Sequence, residues 1–253
     1  MTHLKAIIVS AILIVVSAFQ PLLAQILNIE DERIKTDTTG WSGKLKFSLA
    51  YQKTDVDFFR SDAYAHTQFK TNKDLFLLLA DHSLSKGNGK EFINTSTQHF
   101  RYNRKLMQFL TAEAFVQGQF NKILDIRYRI LAGAGPRWTI VKTDIFRLYA
   151  GNLYMFEWEI LTTGAETQTH RLSNYLSFSL NLSNTTRLVH TTYYQPALAD
   201  PGDFRILSQS SLRLKINKHL SFSFDYKFYH DSHPPVGIIG STHSFLNGIE
   251  IVF

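Results

Sequence analysis

His219-Leu220-Ser221 sets a histidine two residues before a serine. A serine beside a histidine is the core of many acyl-transfer sites. Two positions apart on a strand, both side chains share one face. His219 sits at a short polar turn, however, so the sequence reads as a turn residue followed by an inward serine. The stretch HDSHPP gathers His230, Asp231, Ser232 and His233 in one loop, a set that can ligate a metal. Pro234 and Pro235 stiffen that loop, and His-x-x-His at a strand-to-loop junction has no fixed geometry. Asp55 and Asp57 can meet Ca²⁺ or the cations that bridge lipopolysaccharide, but two carboxylates are few for a dedicated site. GNGKE at 87–91 lacks the spacing and following helix of a phosphate loop. No catalytic residue, cofactor or resident metal is expected.

The stronger chemical signal is charge on one parity. Lys44, Lys46, Arg127, Arg129, Arg147, Glu157, Glu159, Arg171, Arg187, Arg205, Arg213, Lys215, Asp225, Lys227 and Glu250 all fall opposite apolar neighbours. Bases outnumber acids. Glu157 and Glu159 lie between segments carrying Arg127, Arg129 and Arg171, so carboxylates and guanidiniums are expected to pair across neighbouring strands. Two readings follow. The set is a structural network filling an interior, or it is a cationic constriction that binds or passes small anions.

These charges need elements that place them on one face, and the chain supplies a period of two. In WSGKLKFSLAY, Trp41, Leu45, Phe47, Leu49 and Tyr51 alternate with Ser42, Lys44, Lys46 and Ser48. LSNYLSFSLNL, FRILSQSSLRLKI, LSFSFDYKF and the ending FLNGIEIVF repeat the pattern. Strands are predicted at 41–51, 59–70, 73–83, 92–102, 106–119, 123–141, 145–160, 170–182, 186–196, 204–216, 219–230 and 243–253, twelve in all; 59–70, 73–83 and 106–119 are poorly patterned, which leaves ten or fourteen open. GAGPR, within the sixth, reads as a bulge or bend. Tight turns such as TNK, KTD and NKH alternate with longer stretches, the plan of a membrane barrel. A secreted sandwich also alternates, but its strands are shorter, about five or six residues. Several segments here reach the length a tilted strand needs to cross hydrocarbon. The expected fold is an all-β antiparallel transmembrane barrel. Its final strand, with Ile249, Ile251 and Phe253 on one parity, would pair with the first to remove both edges. A terminal aromatic after alternating apolar residues is also the pattern that outer-membrane assembly machinery reads.

The chain of 253 residues opens with Lys5 and an apolar run, AIIVSAILIVVSAF, then Pro21 and Ala24. That order is a secretory signal peptide. Residues 1–24 are therefore expected to be removed, 25–40 to form a periplasmic lead-in, and 41–253 to form the barrel. Loss of Lys5 takes the formal charge from +6 to +5. No block of like charge forms a nucleic-acid patch, and the absence of cysteine leaves no disulfide framework.

Trp41-Ser42-Gly43, Gly133 to Arg137, YMFEWE, Arg171 to Ser173, Tyr193 to Pro196, Asp203 to Arg205, HDSHPP and Phe253 occur in an order that resembles the YdiY-like outer-membrane family, domain of unknown function 481 (DUF481), also labelled salt-induced. The resemblance implies a barrel in the outer membrane and supplies no reaction. The expected partners are outer-membrane lipid and lipopolysaccharide, the barrel assembly machinery and small anionic solutes. The expected role is a narrow Arg/Lys-lined, porin-like channel or anion-binding barrel, with a sealed structural barrel as the alternative and a lipid hydrolase as a distant third.

Overall fold

A computed structural model describes residues 39–55, 57–217 and 220–251. The expected signal peptide, nearly all of the 25–40 segment, His219 and Phe253 lie outside these residues. So do the side chains of Glu250 and Ile251. Within the described residues the chain is all-β. The strands are β1 (Gly40–Lys53), β2 (Asp57–Lys70), β3 (Asp74–Gly87), β4 (Lys90–Lys105), β5 (Leu110–Asn121) and β6 (Ile126–Lys142). They continue as β7 (Phe146–Leu161), β8 (Glu166–Asn181), β9 (Thr186–Pro196), β10 (Phe204–Lys215), β11 (Leu220–Asp231) and β12 (Ser241–Ile251). They form one antiparallel meander in sequence order. All twelve predicted segments are strands.

The sheet is rolled. The Tyr175 hydroxyl on β8 donates to Glu113 Oε2 on β5 at 2.7 Å. Phe115 of β5 belongs to the same apolar cluster as Leu207 of β10 and Tyr229 of β11. Such contacts between strands far apart in the sheet require its inner face to curl around a common axis. Among the described residues no ladder joins β12 to β1, so the expected closing pair is not made there. β1 and β12 are the two edge strands of the ladders.

The connections correct one expectation. Long loops were expected at every second turn except FNK near 120–122. Only 197–203 and 232–240 are long, and both lie at one end; the other connections at that end are as tight as those opposite. The strands simply run further into the polar stretches. At 88–89, Asn88 and Gly89 both adopt left-handed backbone, φ 48° and 73°, the requirement of a two-residue hairpin whose twist matches its strands. The glycine-rich loop tip is therefore a tight turn, pinned where the Asn88 N–H donates to the Asp57 carbonyl at 2.9 Å.

The two faces are inverted relative to a water-soluble protein. Leu45 is 83% exposed and Phe47 75%, and Phe76, Leu78, Phe100, Val116, Ile130 and Leu176 also point outward. Inside are His66, Gln68, His99, Arg101, Glu113, Gln117, Arg129, Glu157 and Arg171, all buried. Among the described residues, exposed large apolar side chains outnumber buried ones.

GAGPR is not a bulge. The β6–β7 register is the same on both sides of it, Ala134↔Tyr154 and Arg137↔Gly151. The ladder pauses because Pro136 has no N–H to donate and β7 runs very close to Gly135. The true irregularities of this ladder are at Ile126/Tyr128 and Thr139/Val141. They matter for the charges.

Candidate functional site

Five of the charges expected inside come together near the long-loop end. β6 supplies Arg129, β7 supplies Glu157 and Glu159, β8 supplies Arg171 and β10 supplies Arg205. Alternation alone turns these side chains inward. Register then sets Arg129 directly opposite Glu159, and the two form a close ion pair. Glu157 is 2% exposed. Its carboxylate pairs with Arg205 and lies 3.7 Å from Arg171 Nε. Arg205 is also bound from its other side, Nε donating to Asp231 Oδ2 at 2.9 Å, while the Tyr229 hydroxyl donates to the same oxygen at 3.1 Å. Arg171 is capped by the 197–203 loop, with Nη1 and Nη2 donating to Asp203 Oδ1 at 3.0 and 3.1 Å and Nη2 to Oδ2 at 2.9 Å. Charges this deep persist only when each is matched by hydrogen bonds and an opposite charge. Here every carboxylate of the cluster has an arginine.

A second buried cluster lies towards the short-turn end. Arg101 Nη1 donates to Glu113 Oε2 at 3.0 Å. Arg137 Nη1 stands 3.7 Å from Glu113 Oε1, its guanidinium 3.9 Å from the Tyr149 ring centroid. Leu131, Leu153, Met155, Tyr193 and Leu207 form a buried apolar layer inside the same rolled sheet. At the level of these two clusters the interior between β4 and β11 is thus occupied by buried side chains.

The remaining expected residues are elsewhere. Arg147, Arg187 and Arg213 turn inward at the short-turn mouth, where Arg147 is half-buried and the other two are exposed. Arg127 is exposed. It occupies the register shift between Ile126 and Tyr128, which breaks the parity it would share with Arg129, and it lies 5.8 Å from the Tyr128 ring centroid. Ile249 points outward and is exposed. The backbone of Ile251 pairs with Leu220.

Arg127→Ala is accordingly expected to change unfolding by less than about 0.5 kcal/mol, as at other exposed sites. Arg129→Ala leaves Glu159 buried beside a lost partner and is expected to cost several times more. Denaturant titration of the two variants side by side measures the difference.

Sequence reasoning missed Arg101, Glu113, Arg137, Asp203 and Asp231 as members. For Arg101 the signal was masked. The outward parity of its strand carries Asn94, Ser96 and Gln98, so the contrast between faces is lost. Asp231 was read as a metal-ligand candidate, but its carboxylate serves Arg205 and the His233 N–H (3.0 Å). His230 faces outward to Ser241, 2.7 Å away. Among the described residues no three His, Cys, Asp or Glu side chains are grouped to hold a metal. Ser221 lies inward at the short-turn mouth, beside a hollow lined by Arg187, Arg213 and Lys215.

The family model described as "Protein of unknown function, DUF481" matches residues 30–245. No curated protein matches the chain. Among solved structures, one titled as the NanC porin in a rhombohedral crystal form aligns at 11% identity and a TM-score of 0.49, covering 81% of this chain and 100% of that one. Because the family model spans most of its length, this chain belongs to the DUF481 family.

Proposed function

We propose that the protein is an integral β-barrel of the Gram-negative outer membrane, closed along much of its lumen by its own ion pairs, with a role in envelope maintenance. The inverted faces support the location. Each large apolar side chain left in water forgoes about 1.5–3 kcal/mol of burial, a loss that hydrocarbon removes. Strands of 11 to 17 residues are long enough to cross it at a tilt. Outer-membrane lipid and lipopolysaccharide are then its surroundings, and the assembly machinery its route there. No reaction enters this reading.

The observation that carries the closed lumen is Glu157, nearly inaccessible and bound within a group of arginines. A conducting path along β4–β11 would have to break those pairs. One feature favours the second reading, a narrow anion-preferring channel. Lys44, Tyr64, Asp225 and Lys227, inward on β1, β2 and β11, are only half-buried. Planar-bilayer recording of the purified barrel separates the two. The closed barrel is expected to give no steady current between 0.1 and 1 M salt, chosen as about a tenfold span of screening. A stable anion-selective current would overturn it in favour of the channel.

A further inference from the structure

At the short-turn end lies a cavity of about 230 Å³. Its wall is built from the ends of eight strands, β2 to β9, and the turns between them. The ends of β2 and β4 and the 71–73 turn bring Lys70, Lys105 and Lys73. β6 brings Arg137 and Lys142, β7 brings Arg147 and β9 brings Arg187. Against these seven cations the wall has one carboxylate, Asp74. That carboxylate is engaged: it accepts from the Tyr102 hydroxyl at 2.6 Å, from Arg104 at 3.0 Å and from the Thr71 hydroxyl at 3.3 Å.

Register makes the imbalance sharper. Lys142 stands directly opposite Arg147 in the β6–β7 ladder, and Arg187 directly opposite Arg213 in the β9–β10 ladder. Like charges facing each other across a ladder weaken it. Both pairs turn inward at the same mouth. An anion between them changes the sign of that interaction. At the inner end of the cavity Arg137 is buried and held flat over Tyr149, with Nη1 3.7 Å from Glu113 Oε1; a guanidinium fixed in this way has further N–H donors in its plane that suit an oxyanion. Thr111, Thr139, Ser177, Ser179 and Asn103 add neutral hydrogen-bonding groups to the same wall.

We propose that this vestibule binds a small phosphate ester, with the phosphate among Arg137, Lys142, Arg147 and Arg187 and the hydroxylated remainder against the Thr, Ser and Asn side chains. A phosphate monoester fits better than a monocarboxylate. It brings close to two charges and three acceptor oxygens, and cations converge here from several strands. The site lies at the mouth, so it does not depend on whether the lumen conducts.

The test is isothermal titration of the full chain, purified in detergent, with glucose 6-phosphate, inorganic phosphate, acetate and glucose. Glucose 6-phosphate is expected to bind, inorganic phosphate more weakly, acetate and glucose not at all, and high salt to weaken binding. Arg147→Gln combined with Arg187→Gln is expected to reduce affinity by about tenfold or more, as loss of charge-assisted hydrogen bonds does. These two side chains sit at the accessible mouth, so the variant avoids the buried Arg137. Arg127→Gln, at the opposite end, is expected to leave binding unchanged. Equal affinity for inorganic phosphate would overturn the ester assignment. No phosphate binding at low salt, or binding that survives the double substitution, would overturn the site.

Discussion

Glu157→Ala is expected to destabilise the folded barrel by about 3–5 kcal/mol, the usual consequence of removing one partner from a buried ion pair. The carboxylate lies between Arg171 and Arg205, with Arg129 and Glu159 alongside. Without it, Arg205 keeps Asp231 and a longer approach to Glu159 at 3.9 Å. Arg171 keeps Asp203. The cluster then holds three arginines against two buried carboxylates and the more accessible Asp203. Urea unfolding of purified protein, followed by the loss of its folded electrophoretic mobility, measures the change. Glu157→Ala together with Arg205→Met is expected to cost more than Glu157→Ala alone, because Asp231 then lies buried without its arginine. A single-variant cost under about 1 kcal/mol would mean that water reaches Glu157 and that the interior is less closed than its burial implies.

Gly135→Ala is the second large effect. A Cβ at this position would lie 2.6 Å from Leu153 Cα and closer still to the Asn152 carbonyl oxygen. Both are backbone atoms of β7, so no rotamer change relieves the clash. The β6 and β7 strands must separate beside Pro136, where the ladder already lacks a bond. Overpacking in a tight interior costs about 1–3 kcal/mol, and the upper end or beyond is expected here. Gly118→Ala is the control. Its added Cβ would meet only the Gln98 amide oxygen, at an ordinary 3.7 Å, and a change within about 1 kcal/mol is expected. Parallel refolding yields and unfolding midpoints for the two variants check this. Equal behaviour would mean that β6 and β7 have room to spare at Gly135.

These two positions differ in how much the sequence reveals. Glu157 was legible. It lies on the polar parity of a well-patterned strand, and its neighbours in the chain put arginines on adjacent strands. Gly135 was legible only as unusual; a bulge was the natural reading, and the approach of β7 is a tertiary fact. Arg127 shows the limit of parity. One extra residue at a register shift carries a side chain to the other face, and nothing in the local pattern announces it. Arg101 shows the converse. Its inward placement obeys parity, but a polar outward face hid the contrast that parity needs.

By itself the sequence determined that this is an all-β chain and which stretches form its strands, with a count between ten and fourteen that the structure sets at twelve. A period of two is a local property, set by the backbone and by the need to sort apolar from polar side chains. It also determined which face most charges take, because each strand has only two. Tertiary structure decided which charges meet. Glu113 of β5 lies against Tyr175 of β8, and Asp203 of a loop caps Arg171. Those partners depend on how far the sheet curls and on where its register slips, and both are properties of the whole rolled sheet. The same curvature divided one expected set of charges in two, a matched cluster buried inside and a cation-rich mouth at the short-turn end.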